Sequence, residues 1–417
     1  MKKKIKNSKL KLIKNWFMKY FDKVFFIVLD FFQALLKKIP KSIRKILGKS
    51  LLILLISAVS INIFINRYYL SPDQVLMYIQ DKFVSMGHGN GFPKEIYGSN
   101  IDSQNFQILG GSLVAASDTC TTCYNKNSKE IFNRQHSFQS PMLKATKNKI
   151  LLYDLYGKDL EISCKSKIIY KTNVDENILC AGLAENGTYG VVTSTSGYFS
   201  KLSVFKRFSK TLIYEYCFSD TYITNLDFSS NGKYACAVGL SSENGCMYSN
   251  LFVFDYKSET PKLKLQYKDS MVIKTLFLEN GNIALLGDNM FSVVNPKSGK
   301  QEKYDFDNRN LTAFEINKND KSIISLSSSD DGNACEILIF DKKGKLISNI
   351  KTDIKIKSMS FKDNKIAALS YDKVFVYNKK GKVLKELSCE QNSKEIHFFE
   401  PRKLYGLGIS SIQKITF

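Results

Sequence analysis

The chain has 417 residues, 44% of them hydrophobic, with 61 Lys and Arg against 39 Asp and Glu, a net charge of +22. This excludes a disordered chain, a collagen and a disulfide-packed miniprotein, and allows one large domain or two ordinary ones. One Trp and seven Pro exclude folds built on repeated Trp or Pro motifs.

The charge is uneven: residues 1–50 hold 15 basic and 2 acidic side chains (+13), the other 367 hold 46 and 37 (+9). Within residues 1–49, Phe17, Phe21, Val24, Val28, Phe31, Leu35 and Ile39 recur at three- and four-residue steps. The spacing predicts a basic amphipathic helix, with Lys14, Lys19 and Lys23 in or near its first half. Asp30 argues against a second span. Such an arm is expected to lie on anionic inner-leaflet lipids, with a plain topology signal as the alternative. It carries no DNA-binding motif, and no nucleic-acid partner is expected.

Residues 50–69 are expected to form one transmembrane helix. Its apolar content is Leu51, Leu52, Ile53, Leu54, Leu55 and Ile56, then Ile61, Ile63, Phe64 and Ile65, with no charge between Leu51 and Ile65. Lys49 at one end and Arg67, Tyr68 and Tyr69 at the other extend it toward the ~20 residues a bilayer needs. A cleaved signal peptide is disfavoured because its positive region would be 50 residues long. Six basic residues from Lys37 to Lys49 precede the span, and only Arg67 and Lys82 follow it closely. The asymmetry places the N-terminus inside and residues 70–417 outside.

Residues 70–91 read as a stalk helix and linker. Ser71-Pro72-Asp73 is a helix start, Val75, Ile79 and Phe83 fall four apart, and Gly87 to Gly91 is expected as a flexible joint.

From residue 92 helical periodicity gives way to short apolar runs separated by turns. Leu226-Asp227-Phe228-Ser229-Ser230-Asn231-Gly232 before Tyr234–Val238 recurs as Leu276–Gly281 before Asn282–Leu286. Looser copies are Phe314-Glu315-Ile316, Met359-Ser360-Phe361 and Leu183–Gly187. A second unit, Leu338-Ile339-Phe340-Asp341-Lys342-Lys343-Gly344, returns as Val374-Phe375-Val376-Tyr377-Asn378-Lys379-Lys380-Gly381. Strand, turn, strand, loop, strand, turn, strand is a β-propeller blade, so the fold class is all-β. First strands start near residues 104, 141, 177, 222, 271, 310, 354 and 394. This gives eight blades, with seven as the alternative because the first two are weakly marked. The last start leaves room for three strands, and Lys94–Gly98 is expected to supply the fourth and close the ring.

With its basic arm, single span and Asn-Gly and Asp-Lys-Lys-Gly turns, the chain resembles membrane-anchored propeller proteins of Gram-positive, clostridia-like bacteria that carry a domain of unknown function. The resemblance implies an envelope-facing domain and no particular activity. No Trp-Asp dipeptide occurs, and the outer domain has no Trp to match the docking positions of quinone-cofactor propellers.

Local motifs for catalysis are absent. His88, His136 and His397 are scattered, and there is neither a nucleophile elbow nor a phosphate-binding loop. Cys120-Thr121-Thr122-Cys123 reads as a local disulfide or as two strand thiols. The acidic turns Asp305–Asn310 and Ser329–Asn333 lack a calcium-loop pattern. No cofactor or metal is expected. The resulting expectation is a bitopic envelope protein whose propeller binds or scaffolds an unknown envelope protein or polymer. Ser241–Asn250 and Ser327–Asn333 are taken as contact loops and Tyr248 as an aromatic anchor. The alternatives are a single-span sensor, a cell-wall adhesin, or an extracytoplasmic enzyme with a site in the channel.

Overall fold

A computed structural model describes residues 50, 53, 57, 72–319, 321–329 and 332–417. The chain divides into two compact units, residues 1–74 and 75–417. The basic arm, and all of the expected span except Ser50, Ile53 and Ser57, lie outside the described residues. Among the described residues no helix is long and apolar enough to cross a membrane.

The second unit contains eight four-stranded antiparallel sheets, seven of them simple meanders. They cover residues 106–135, 141–173, 178–218, 222–268, 272–305, 310–352, 358–388 and 395–416, here blades 1 to 8. The eight-blade count holds. First strands begin within four residues of the expected starts, the largest offset being Ser358 against residue 354. First strands of neighbouring blades meet, Ile178–Leu183 against Tyr222–Phe228 and Ser358–Lys362 against Glu395–Glu400 among them, and Phe106–Leu109 against Glu395–Glu400 closes the ring. They therefore surround the central channel.

The fourth strand of blade 8 comes from the other end of the domain. Lys94 pairs with Ile412 and Glu95 with Ser411, which covers an edge that would otherwise be open. The paired strand is shorter than expected, Lys94–Glu95. Ile96 N–H adds a bond to the Ser410 carbonyl (3.1 Å).

Turn chemistry sets the hairpins. Asn186, Asn231 and Asn280 each accept, through Oδ1, the N–H two residues on, at 2.9, 3.0 and 3.1 Å. Asp341 Oδ1 takes the N–H groups of Lys343 and Lys345, and Asn378 Oδ1 those of Lys380 and Lys382. These side chains hold the turn while the following Gly provides positive φ. The core lies between facing blades. Phe218, Phe252, Phe254, Leu226 and Phe228 fill the gap between blades 3 and 4, and Phe106, Tyr124, Tyr405 and Ile412 the gap between blades 8 and 1.

Two expectations need correction. Ser241–Asn250 is a continuation of blade 4 rather than a loop: Ala235–Glu243 and Cys246–Phe254 pair up to Glu243–Cys246, turning at Asn244-Gly245. Both turn residues have positive φ (51° and 77°), the backbone that two-residue hairpins favour. The segment Gly87–Gly91 is likewise no free joint. Gly89 N–H bonds the Asn127 carbonyl (3.0 Å), and Gly91 N–H bonds Ser128 Oγ (2.7 Å). A Cβ on Gly89 would stand 2.2 Å from the Ser128 carbonyl oxygen, so glycine here permits backbone contact.

The preceding helix, Pro72–Val84, is fastened to blades 1 and 2. Ser166 N–H donates to Asp81 Oδ1 (2.8 Å). Lys129 Nζ donates to the carbonyls of Val84 (3.0 Å) and Met86 (2.7 Å). Asn125 Nδ2 donates to those of Ser85 and Gly87, both at 2.9 Å. Carbonyls at the helix end, which have no partner within the helix, are thereby satisfied.

Candidate functional site in the central channel

Each first strand pairs on one side only, with the second strand of its own blade, so its other edge presents backbone N–H and C=O groups to the channel. Polar side chains on neighbouring first strands, or on the turn just before one, meet this need. Asn105 Oδ1 accepts Leu143 N–H (2.9 Å) and Gln107 Oε1 accepts Ala145 N–H (2.8 Å). Their amide nitrogens return bonds to the carbonyls of Pro141 and Leu143, both at 2.8 Å, so blade 1 imitates a further strand beside blade 2. Asp227 Oδ2 accepts Phe277 N–H (2.7 Å), and Glu315 Oε2 accepts Phe361 N–H. Ser360 Oγ accepts Phe398 N–H (2.9 Å), and Ser358 Oγ accepts Ile396 N–H (3.2 Å).

Blade 3 breaks the pattern because Gly182 occupies the corresponding place. Lys144 of blade 2 reaches past it and donates to the Leu226 carbonyl of blade 4 (2.9 Å). A Cβ on Gly182 would come within 2.9 Å of that carbonyl oxygen and 3.0 Å of the Phe228 ring. The glycine keeps the crossing open.

Charge is grouped around the channel, although Lys362 of blade 7, which donates to the Phe399 carbonyl (3.0 Å), also lies near Glu315. On the arc of blades 2 to 6, Lys144, Lys274 and Lys318 gather about one carboxylate, Asp227, which meets Lys318 Nζ at 3.4 Å. The Lys274 ammonium has no hydrogen bond or ion pair among the described residues, and burial, then the neighbouring Lys144, pushes it down to about 8. Burial likewise lowers Lys144. Both keep some exposed surface, yet both lie largely within protein, which is why loss of water dominates. On the arc of blades 6 to 8, burial and then the nearby Glu395 carboxylate raise Glu315 to about 8, although the Phe361 N–H works against this. Burial raises Glu395 to about 7, and it accepts Ser358 Oγ–H. His397 is driven down to about 4 by burial, and its neutral ring bonds the Phe106 carbonyl through Nε2 (2.9 Å). Perturbed groups of opposite kind on the inner strands mark a functional-site candidate.

The residues singled out from sequence lie elsewhere. Cys120 and Cys123 sit on the third strand of blade 1, Cys120–Tyr124, and all nine cysteines are free thiols. Three apart on a strand, the two side chains point to opposite faces, so they are strand thiols and not a disulfide. Burial pushes Cys123 up to about 12, which leaves it unreactive at neutral pH. Cys120 borders a cavity of about 400 Å³ with Tyr97, Gln135 and His136, whose ring nitrogens are buried without a partner. No hydrogen bond joins the thiol to that ring among the described residues, so no nucleophile–base pair forms. Tyr248 is half-buried on the blade 4 hairpin, between Ser241 and Lys268. Among the described residues no three metal-ligating side chains come together. In the acidic turn at 305–310, Asp305 and Asp307 face Lys303 and Arg309 instead.

Residues 93–417 match the model of a family of unknown function, DUF5711. The chain belongs to this family. The DUF5711 match begins beside the strand that closes blade 8, so it coincides with the propeller. No curated protein matches the chain. Among solved structures, the C-terminal WD40 domain of Sif2 is similar with a TM-score of 0.56 at 13% identity, covering 78% of this chain and 99% of that one. BamB from Moraxella catarrhalis gives 0.48 at 10% identity (78% and 100% covered), and Sqt1 from Saccharomyces cerevisiae 0.49 at 12% (78% and 98%). At these identities the likeness speaks for the fold alone, and the DUF5711 propeller takes no function from it.

Proposed function

We propose that this chain is a membrane-anchored binding module with its propeller outside the cell, and that the channel holds an anionic group of its ligand between Lys144, Lys274 and Lys318. The observation that carries the binding site is the imbalance there: three ammonium groups share one carboxylate, Asp227. A carboxylate or phosphate oxygen would relieve their repulsion and take up the donors that Lys274 leaves unused. The polymer or protein bearing that group would rest on the disc face, where the blade 4 hairpin offers Tyr248.

The membrane part rests on the uncharged run Leu51–Ile65 and the basic excess before it. A reporter fused after Phe417 should behave as exported, and a cysteine replacing Ser8 should be protected from an impermeant thiol reagent. Labelling at Ser8 without labelling of the propeller would reverse the orientation.

For the site, the full chain in detergent is titrated with phosphate and with a dicarboxylate while its melting temperature is followed. Stabilisation that disappears in Lys274→Met supports the channel site; stabilisation unchanged in that variant, or none at all, removes it.

An extracytoplasmic enzyme is the second reading, favoured by the raised Glu315 and Glu395. Both carboxyls are already engaged between blades, however, with Phe361 N–H and Ser358 Oγ. Turnover by the purified protein, abolished by Glu395→Gln, would establish it over the binding reading.

A further inference from the structure

The helix Pro72–Val84 has two different faces. At 100° per residue, Met77, Gln80, Asp81 and Val84 fall on one side. That side meets the propeller: Met77 is buried and Asp81 receives Ser166 N–H. The opposite arc, about 160° wide by the same count, carries Val75, Leu76, Tyr78, Ile79 and Phe83. These residues are 40 to 66% exposed, and Met86 just beyond the helix is 59% exposed. A soluble helix puts charge and polarity on its outer arc. Here the only charged side chain within that arc is Lys82, whose Nζ lies 5.6 Å from the centre of the Tyr78 ring. A contiguous apolar strip of this kind marks a contact surface.

Chain order identifies what covers it. The uncharged run Leu51–Ile65 and its aromatic flank Tyr68-Tyr69 end only two residues before Pro72. A chain leaving a bilayer at residue 69 has under ~11 Å of extended backbone before the helix begins. A span ending at residue 69 would deliver the strip at the depth of the lipid headgroups.

We infer that the exposed face of Pro72–Val84 lies in the outer leaflet, with Val75, Leu76, Ile79 and Phe83 against the acyl boundary and Lys82 reaching the headgroups. Interfacial helices of this type sink roughly 5–10 Å into that boundary, and a lysine beside a ring reaches outward in the same way. Because the other face is bonded to blades 1 and 2 through Asp81, Asn125 and Lys129, the helix also fixes the tilt of the propeller on the membrane. This inference rests on the membrane anchor proposed above.

The test uses the full chain reconstituted into phosphatidylcholine–phosphatidylglycerol liposomes. A fluorescent amino acid replaces Leu76, Ile79 or Phe83 in turn, with Glu259, exposed on blade 4, as the aqueous reference. Spin-labelled lipid should quench the three helix positions several-fold more than Glu259, and iodide should do the reverse. Iodide quenching at the helix positions equal to that at Glu259 overturns the inference. So does protection from both quenchers, which would mean that a second copy or another protein covers the strip. Flotation after carbonate extraction separates the two proposals. Protein that does not float removes anchor and surface together, whereas floating protein with iodide-accessible helix positions removes the surface alone.

Discussion

The imidazole of His397 stacks on the ring of Phe106, centroids 5.7 Å apart and planes at 19°, while its Nε2 donates to the Phe106 carbonyl at 2.9 Å. The two residues are 291 positions apart and join the last blade to the first on the channel side. Lys94 opposite Ile412 joins the same blade at its outer edge. The ring is therefore closed twice, once inside by a side chain and once outside by a strand.

Buried Glu315 makes stability depend on pH. Its carboxyl titrates near 8 in the folded protein and near 4.5 when unfolded. Between these values the folded state holds the extra proton, so stability falls as pH rises and the full penalty is present above about 8. Glu315→Gln keeps an acceptor for Phe361 N–H and removes the titration. Its unfolding free energy should match the wild type near pH 4.5 and exceed it at pH 9 by on the order of 2 kcal/mol after allowance for channel water, with a correspondingly higher melting temperature. Parallel pH profiles for the two proteins would show that this carboxyl is not held neutral.

Gly182→Ala should destabilise by about 1–3 kcal/mol, the usual cost of inserting atoms into packed structure. The added Cβ meets a carbonyl oxygen and the Phe228 ring on the path of Lys144. Gly406→Ala is the control, because its Cβ would touch only Ile415 Cδ1 at 3.4 Å. Equal melting temperatures for the two variants would mean that the crossing of Lys144 needs no open space.

Much of the fold was legible, and particular residues say why. The blade count came from turn residues whose work is local: Asn231 and Asp341 hold N–H groups only two to four positions away. Closure by Lys94 could be read because three leftover strands demanded a fourth. The channel was not read, since Lys144, Asp227, Lys274 and Lys318 are distant in sequence and meet only when the blades assemble. A signal was nevertheless present. Leu226-Asp227-Phe228, Phe314-Glu315-Ile316 and Met359-Ser360-Phe361 each hold one polar residue between apolar ones at the same place in the repeat. A polar side chain at a regularly apolar strand position is explained by the open backbone edge beside it. The loop assigned at Ser241–Asn250 failed for a different reason. Its polar residues lie on a hairpin that extends beyond the blade core, where no apolar alternation marks a strand.

Removing Ser411–Phe417 should open the ring. The deletion takes away both partners of Lys94 and Glu95, the Ser411 hydroxyl that donates to Glu390 (2.7 Å) and the Gln413 amide that does the same (3.1 Å). The truncated chain should aggregate or lose most of its cooperative melting transition. A soluble monomer with the wild-type melting temperature would show that blade 8 does not need its borrowed strand.

Anion binding in the channel should weaken as pH rises through about 8, where Lys274 loses its charge. Lys274→Met should bind about tenfold more weakly at pH 7, the effect of ~1.4 kcal/mol, and show no transition near 8. Calorimetric titration with sulfate, whose charge is constant from pH 6 to 9, at pH 6, 7 and 9 measures both. A wild-type affinity that does not change across that range would detach binding from this lysine.

The bonds that fasten the helix Pro72–Val84 have a mechanical consequence. A pull on the chain from its N-terminal side reaches the Asp81–Ser166 bond and the Lys129 and Asn125 clasps before it reaches Lys94. Tension is thus passed into blades 1 and 2, each a complete four-stranded sheet, and the two-residue strand that seals the ring is left slack. The short seam at Lys94–Glu95 is thereby shielded from force applied through the chain that precedes the helix.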